Sequence, residues 1–195
     1  MLSREKRRNQ ILQAAGGEFL AQGFSGTSMQ GIAKVSGISR ASLYTYFGNK
    51  KEVFQSVLKL LEGFICREAK RAVEALEPNA PLDARMVAAF EARQTTWLAF
   101  TKTQSPYTFE LVQLRAESAA QLEKAAFEQL IETMLQDAKA SGEFTPQPDA
   151  PPTQDLASML GNTTTGILRC EGDAIAKKKQ LLRVMIRSLL RGLQN

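Results

Sequence analysis

The stretch Gly37–Lys50, GISRASLYTYFGNK, restricts the fold more than any other part of the chain. Ser39 is a helix N-cap residue, able to accept a hydrogen bond from the turn that follows it. Leu43 and Phe47 then stand four apart, so on a helix they point the same way. With those two turned inward, Arg40, Ala41, Tyr44 and Thr45 share the opposite face, flanked by Ser42 and Tyr46. The segment is too short and too polar for a core helix, yet it carries two tyrosines on its polar side. It must be a braced surface helix whose outer face has a use.

The neighbouring residues supply the brace. Ser3 is placed to cap a helix running to about Gln22, with Ile11, Leu12, Ala15, Phe19 and Leu20 at helical spacing and Gly23 ready to end it in a left-handed turn. Thr27-Ser-Met-Gln30 has the form of a capping box with Thr27 as the cap. It predicts a short helix with Met29, Ile32 and Ala33 inside, stopped at Ser36-Gly37. Asn49-Lys-Lys-Glu52 repeats the pattern and launches a long helix through Val53, Phe54, Val57, Leu58, Leu61 and Ile65. Glu77-Pro78 and Pro81 end it.

Two short helices joined by a glycine turn and braced by a longer one make a helix-turn-helix, which lays its second helix in the major groove of DNA. In that position Arg40 can donate two bonds to a guanine edge, and small Ala41 and Ser42 allow close approach. Hydroxyl and ammonium groups such as those of Thr45, Tyr46 and Lys50 hold phosphates, which set register without reading sequence. Lys50 falls in the first turn of the long helix, where a lysine opposes the helix dipole unless an anion compensates. Its replacement is expected to weaken binding to all sequences alike and to flatten the salt dependence by about one unit. The competing roles are packing between helices for Tyr44 and Tyr46, and plain solvation for Arg40.

Charge agrees with a polyanion-binding end. Seven of the 25 basic residues and only two of the 20 acidic ones lie in the first 50 positions, which leaves the rest of the chain balanced. A localised positive excess is the footprint of such a module. Histidine is absent, which removes the commonest zinc ligand and the commonest general base together. Cys66 and Cys170 are isolated, as in a reducing cytoplasm. The sequence has no secretory leader pattern and no apolar run of about 18 residues that would cross a membrane. Ser56-x-x-Lys59 matches a serine–lysine pair formally, but its companion motifs are missing. No catalytic residues, no enzyme activity, no metal and no cofactor are expected.

Beyond the basic unit the sequence reads helical, at roughly 82–103, 107–140, 153–170 and 174–193, with breakers at Ser105-Pro106 and in the proline-rich loop 141–152. No strand is convincing. The expected domains are residues 1–50 and residues 51–195, in an all-α chain. Aromatic and methionine side chains concentrate in the middle helices, where they can line a pocket or simply form core. Trp97, Phe100, Tyr107 and Glu110 are the candidates for a pocket, because the Ser105-Pro106 break can open one. In the last helix Leu182, Met185, Ile186, Leu189, Leu190 and Leu193 belong to an apolar face wider than one intrachain contact needs. It suits a dimer seam with the helix around Leu156–Leu168, whose Ala157, Gly161 and Gly166 permit close approach. The alternative is a buried terminal helix in a monomer. Arg183, Arg187 and Arg191 recur every four residues and read as a solvated face.

The run Ile11-Leu12, Ala14-Ala15, Phe19, Gly23-Phe24, Thr27-Ser28-Met29, Ile32-Ala33, Gly37-Ile38-Ser39, Leu43-Tyr44, Tyr46-Phe47, Lys50 and Glu52 resembles the N-terminal domain of TetR/AcrR-type transcriptional regulators over residues 8–54. The resemblance implies an all-α homodimer with a three-helix DNA-binding domain and a C-terminal ligand-binding and dimerisation domain. Carried over by position, Arg40, Ala41, Ser42 and Tyr44 touch bases, while Thr27, Ser28, Tyr46 and Lys50 touch phosphates. Tyr46 departs from the histidine that many members carry there. The implied partners are a palindromic double-stranded operator, a second copy of the chain and a small, mostly apolar effector, with no membrane. The expected function is a cytoplasmic repressor released from DNA by that effector. An activator, or an architectural protein needing no ligand, fits the same scaffold.

Overall fold

The computed structural model of the protein describes residues 3–101, 126–169 and 175–194, with Leu111 and Leu114 between them. All regular structure there is helical: α1 (Arg4–Gly26), α2 (Met29–Val35), α3 (Arg40–Tyr44), α4 (Lys50–Glu74), α5 (Leu82–Thr101), α6 (Ala126–Ala140), α7 (Thr153–Arg169) and α8 (Ile175–Gly192). None of these helices is long and apolar enough to cross a membrane. The expected helix at 107–140 is described at Leu111 and Leu114 and continuously from Ala126 onward.

The helix ends follow local chemistry. The Ser3 hydroxyl accepts from Lys6 N at 3.2 Å and starts α1. Gly23 breaks it with φ 71°, a value that costs a glycine little, and a single further turn follows to Gly26. At α2 the cap is Ser28 rather than Thr27: the Ser28 hydroxyl accepts from Gly31 N at 3.0 Å. Thr27 is buried instead, and its hydroxyl donates to the Gly23 carbonyl at 2.6 Å, closing the end of α1. The two neighbours are both capping types, and the broken turn at Gly23 claims the first of them. Gly37, with φ 63°, makes the turn between α2 and α3, and Ser39 caps α3 by accepting from Ser42 N at 3.0 Å. Asn49 caps α4, accepting from Glu52 N at 2.9 Å, and the Glu52 carboxylate accepts in return from Gly48 N at 2.7 Å.

The chain divides into two compact units, Met1–Phe64 with Ala99–Glu123 and Ile65–Leu98 with Lys124–Asn195. The first reaches past residue 50 because its core needs Val53, Phe54, Val57 and Leu58 of α4. These pack on Ile11, Leu12, Ala15 and Phe19 of α1, Ile32 of α2, and Leu43 and Phe47. Phe19, Phe24 and Phe54 form an aromatic trio with centroids 5.1–5.9 Å apart. Each buried phenylalanine contributes about 1.5–3 kcal/mol, so the short α2 and α3 are held by this shared core rather than by their own propensity.

In the second unit α6 packs along α7 and α7 along α8. Ala157 and Gly161 of α7 are buried, and a Cβ at Gly161 would stand 3.4 Å from the Glu128 carboxylate of α6. At Gly161 the small size serves a contact within the chain, while Gly166 is exposed. The proline-rich loop is tied down at several points. Phe144 is buried, Gln147 N donates to the Leu193 carbonyl at 2.8 Å, and the Glu143 carboxylate receives both Leu82 N at the start of α5 and the Arg85 guanidinium.

Candidate nucleic-acid interface

Leu43 and Phe47 are 0% and 1% exposed, so α3 is clamped from beneath. On its other side Arg40, Ala41, Ser42, Tyr44 and Thr45 are all exposed, Tyr44 at 44%. The Arg40 guanidinium carbon lies 5.6 Å from the Tyr44 ring centroid, and Nη2 reaches the Tyr44 hydroxyl at 3.5 Å. Cation and ring thus restrain each other one turn apart while both stay open to solvent. The arrangement offers a fork of donors beside a phenol on an exposed helix face.

Hydroxyl groups on this face are committed locally. Ser42 Oγ shares a bond with Ser39 Oγ at 2.9 Å, and Thr45 Oγ1 donates to the Ser42 carbonyl at 2.7 Å. Basic residues of α1 border the face. Arg4 donates to the Thr45 carbonyl at 3.3 Å and lies 5.9 Å from the Tyr46 ring centroid. Arg8 covers Phe47 at 4.9 Å and donates to Ser56 Oγ at 2.9 Å. In the sequence Arg4 and Arg8 count only toward the basic excess of the first 50 residues. Their place beside α3 depends on how α1 crosses it, which helical spacing does not encode.

Two of the proposed phosphate ligands are otherwise engaged. Thr27 is 2% exposed and its hydroxyl is spent on Gly23, so it offers no donor to a phosphate. The Lys50 ammonium reaches back to the end of α1, donating to the Phe24 carbonyl at 2.7 Å and the Thr27 carbonyl at 2.8 Å, with the Phe24 ring centroid 4.5 Å away. A positive charge placed on such carbonyls compensates the lysine's unfavourable position in α4, the part a phosphate was expected to play. Ser28 is exposed, and Tyr46 is half-buried against the core.

In the second unit Leu182, Ile186 and Leu190 are 3%, 0% and 4% exposed within one chain. They are core, which corrects their placement at a seam. Met185, Leu189 and Leu193 are half-buried. The large apolar side chains of α8 that remain exposed are Ile175, Leu181 and Val184, at 44%, 41% and 57%, and Met159 of α7 is exposed as well. The arginine stripe is exposed, as expected, and two of its members also pair: Arg183 Nε donates to Glu91 at 2.5 Å and Arg187 Nε to Asp83 at 2.9 Å, both carboxylates on α5. Of the pocket candidates, Trp97 is half-buried on α5, while the side chain of Phe100 and all of Tyr107 and Glu110 lie outside the described residues.

Comparison with known proteins agrees with this geometry. Residues 11–57 match the family model described as bacterial regulatory proteins, tetR family. The chain is 28% identical over 145 residues to YhgD of Bacillus subtilis, itself an uncharacterised HTH-type transcriptional regulator, covering 72% of this chain and 73% of that one. It is 32% identical over 91 residues to the HTH-type transcriptional activator FasR of Mycolicibacterium smegmatis, covering 47% and 40%. In fold it is similar to a solved Mesorhizobium loti structure described as a TetR-family transcriptional regulator, with a TM-score of 0.69, 17% identity and both chains covered in full.

Proposed function

We propose that this chain, whose residues 11–57 match the tetR family model, is a DNA-binding transcriptional regulator of the TetR type that works as a homodimeric repressor released from its operator by a small molecule. The observation that carries the DNA half of this reading is the two-sidedness of α3: Leu43 and Phe47 are buried while Arg40 and Tyr44 stand open on the opposite side. Arg40 and Tyr44, with Ala41 and Ser42 allowing approach, read base edges in the major groove. Ser28, Tyr46 and the basic margin of α1 face the phosphates, and these set register.

A single short helix reads too few base pairs to select one site, so two copies with half-sites about 34 Å or a multiple apart supply the rest. Ile175, Leu181 and Val184 of α8 offer exposed apolar side chains to the second copy. The effector acts by binding better to a form whose two α3 helices do not match that spacing, with a coupling of about 1–3 kcal/mol. Activation is the second reading of the sign of control, favoured by the likeness to FasR.

Selection of bound fragments from random and genomic DNA tests the whole reading. A two-fold symmetric site is expected, with lowered transcription from promoters that contain it. Recovery of no preferred sequence overturns the regulator assignment, and an asymmetric single half-site overturns the dimer.

A further inference from the structure

Leu82, Met86, Phe90 and Gln94 recur every four residues along α5, and all four are buried. Three are apolar and the fourth is an amide. Gln94 is 2% exposed, yet neither its Nε2 nor its Oε1 has a hydrogen-bond partner among the described residues. Buried amides almost always find partners, because losing water without replacement is unfavourable. Thr164, the buried polar residue of α7, follows that rule, its hydroxyl donating to the Gly161 carbonyl at 2.9 Å. Gln94 does not. Aromatic rings flank it along the helix: Phe90 lies one turn earlier, with Phe127 edge-on at 5.0 Å between centroids, and half-buried Trp97 lies one turn later, while the Arg93 guanidinium carbon stands 4.6 Å from the Phe127 ring centroid.

We propose that Gln94 is the hydrogen-bonding contact for the effector, and that the effector presents a planar edge with a donor beside an acceptor. This rests on the effector reading given above and narrows it. A primary amide carries an acceptor oxygen and a donor nitrogen side by side. Its complement is a lactam, a carboxamide or an un-ionised carboxylic acid attached to an apolar body that packs on Phe90 and Trp97. A site built to hydrogen-bond such an edge rejects the bare hydrocarbon, since its own polar atoms then stay unpaired.

Matched probe pairs test this: 2-quinolone against naphthalene and benzamide against toluene, at equal concentration, by thermal melting of the full chain. For the natural protein the lactam or the amide raises the melting temperature by about 3 °C or more, and its hydrocarbon partner does so less. In Gln94→Leu and Gln94→Met that preference is lost or reversed. Two variants are used so that poor folding of one leaves the outcome readable. The proposal is overturned if neither polar probe stabilises the natural protein, or if the preference survives both substitutions. Operator retardation separates the two readings: a natural protein that retards no operator in the absence of probe counts against the regulator, whereas the probe ranking judges Gln94 alone.

Discussion

The Lys50 ammonium lies 2.7 Å from the Phe24 carbonyl oxygen and 4.5 Å from the centroid of the Phe24 ring, so one side chain at the start of α4 closes the end of α1 from two directions. Lys50→Met keeps the stem and removes the charge. Bonds from a charged donor are worth about 1.5–3 kcal/mol each, less where solvent reaches them. The variant is therefore expected to lose about 1–2 kcal/mol in urea unfolding, and its salt slope for DNA binding to change by well under one unit. An unchanged stability with a slope lower by a full unit would return Lys50 to the phosphates.

Arg40 makes no contact that the fold requires. Arg40→Ala is expected to cost about 1–3 kcal/mol in binding to the selected operator and to relax preference at one base pair. Its unfolding midpoint should stay within about 0.5 kcal/mol of the parent. Competition retardation with operator variants at each position reads both effects. Undiminished selectivity would remove α3 from the groove.

Thr27 and Gly23 act together at the broken end of α1. Thr27→Val keeps shape and deletes the donor to the Gly23 carbonyl, at an expected cost of about 1 kcal/mol. Gly23→Ala forces a side chain into a backbone with φ 71° and should cost at least about 1 kcal/mol. Chemical denaturation checks both. A Thr27→Val protein of full stability but weak DNA binding would assign the hydroxyl to a phosphate after all.

Leu182 and Val184, two residues apart on α8, are predicted to behave oppositely. Leu182→Ala opens a cavity in the second unit, with an expected loss of about 2–5 kcal/mol. Val184→Glu, on the open side, should leave the helix content intact and convert dimers to monomers in analytical ultracentrifugation. A dimer that survives Val184→Glu and Leu181→Glu places the seam elsewhere.

Local features were the legible ones. The caps at Ser3, Ser39 and Asn49, the turn at Gly37 and the inward pair Leu43 and Phe47 all follow from residues within one or two turns of each other. What could not be read were partners distant in the chain. Lys50 finds its carbonyls 23 and 26 residues back, and Arg183 finds Glu91 across 92 residues. The apolar side of α8 failed for a different reason. Leu181 and Leu182 are equally apolar neighbours, and periodicity cannot tell which of them turns inward when both sides are hydrocarbon. At Thr27 and Ser28 the pattern admitted either cap, and the buried end of α1 decided.

The pairing of Arg183 and Arg187 with α5 gives α8 two unlike attachments. Toward its own chain it is fastened partly by ions in water, which dissolved salt loosens. On the opposite side lies hydrocarbon, whose association sulfate and similar salts reinforce. Ionic strength therefore pulls on this helix in contrary senses, easing it from its neighbour while favouring whatever covers Leu181 and Val184. Buffer composition is thus a handle that separates cohesion inside one molecule from assembly between molecules.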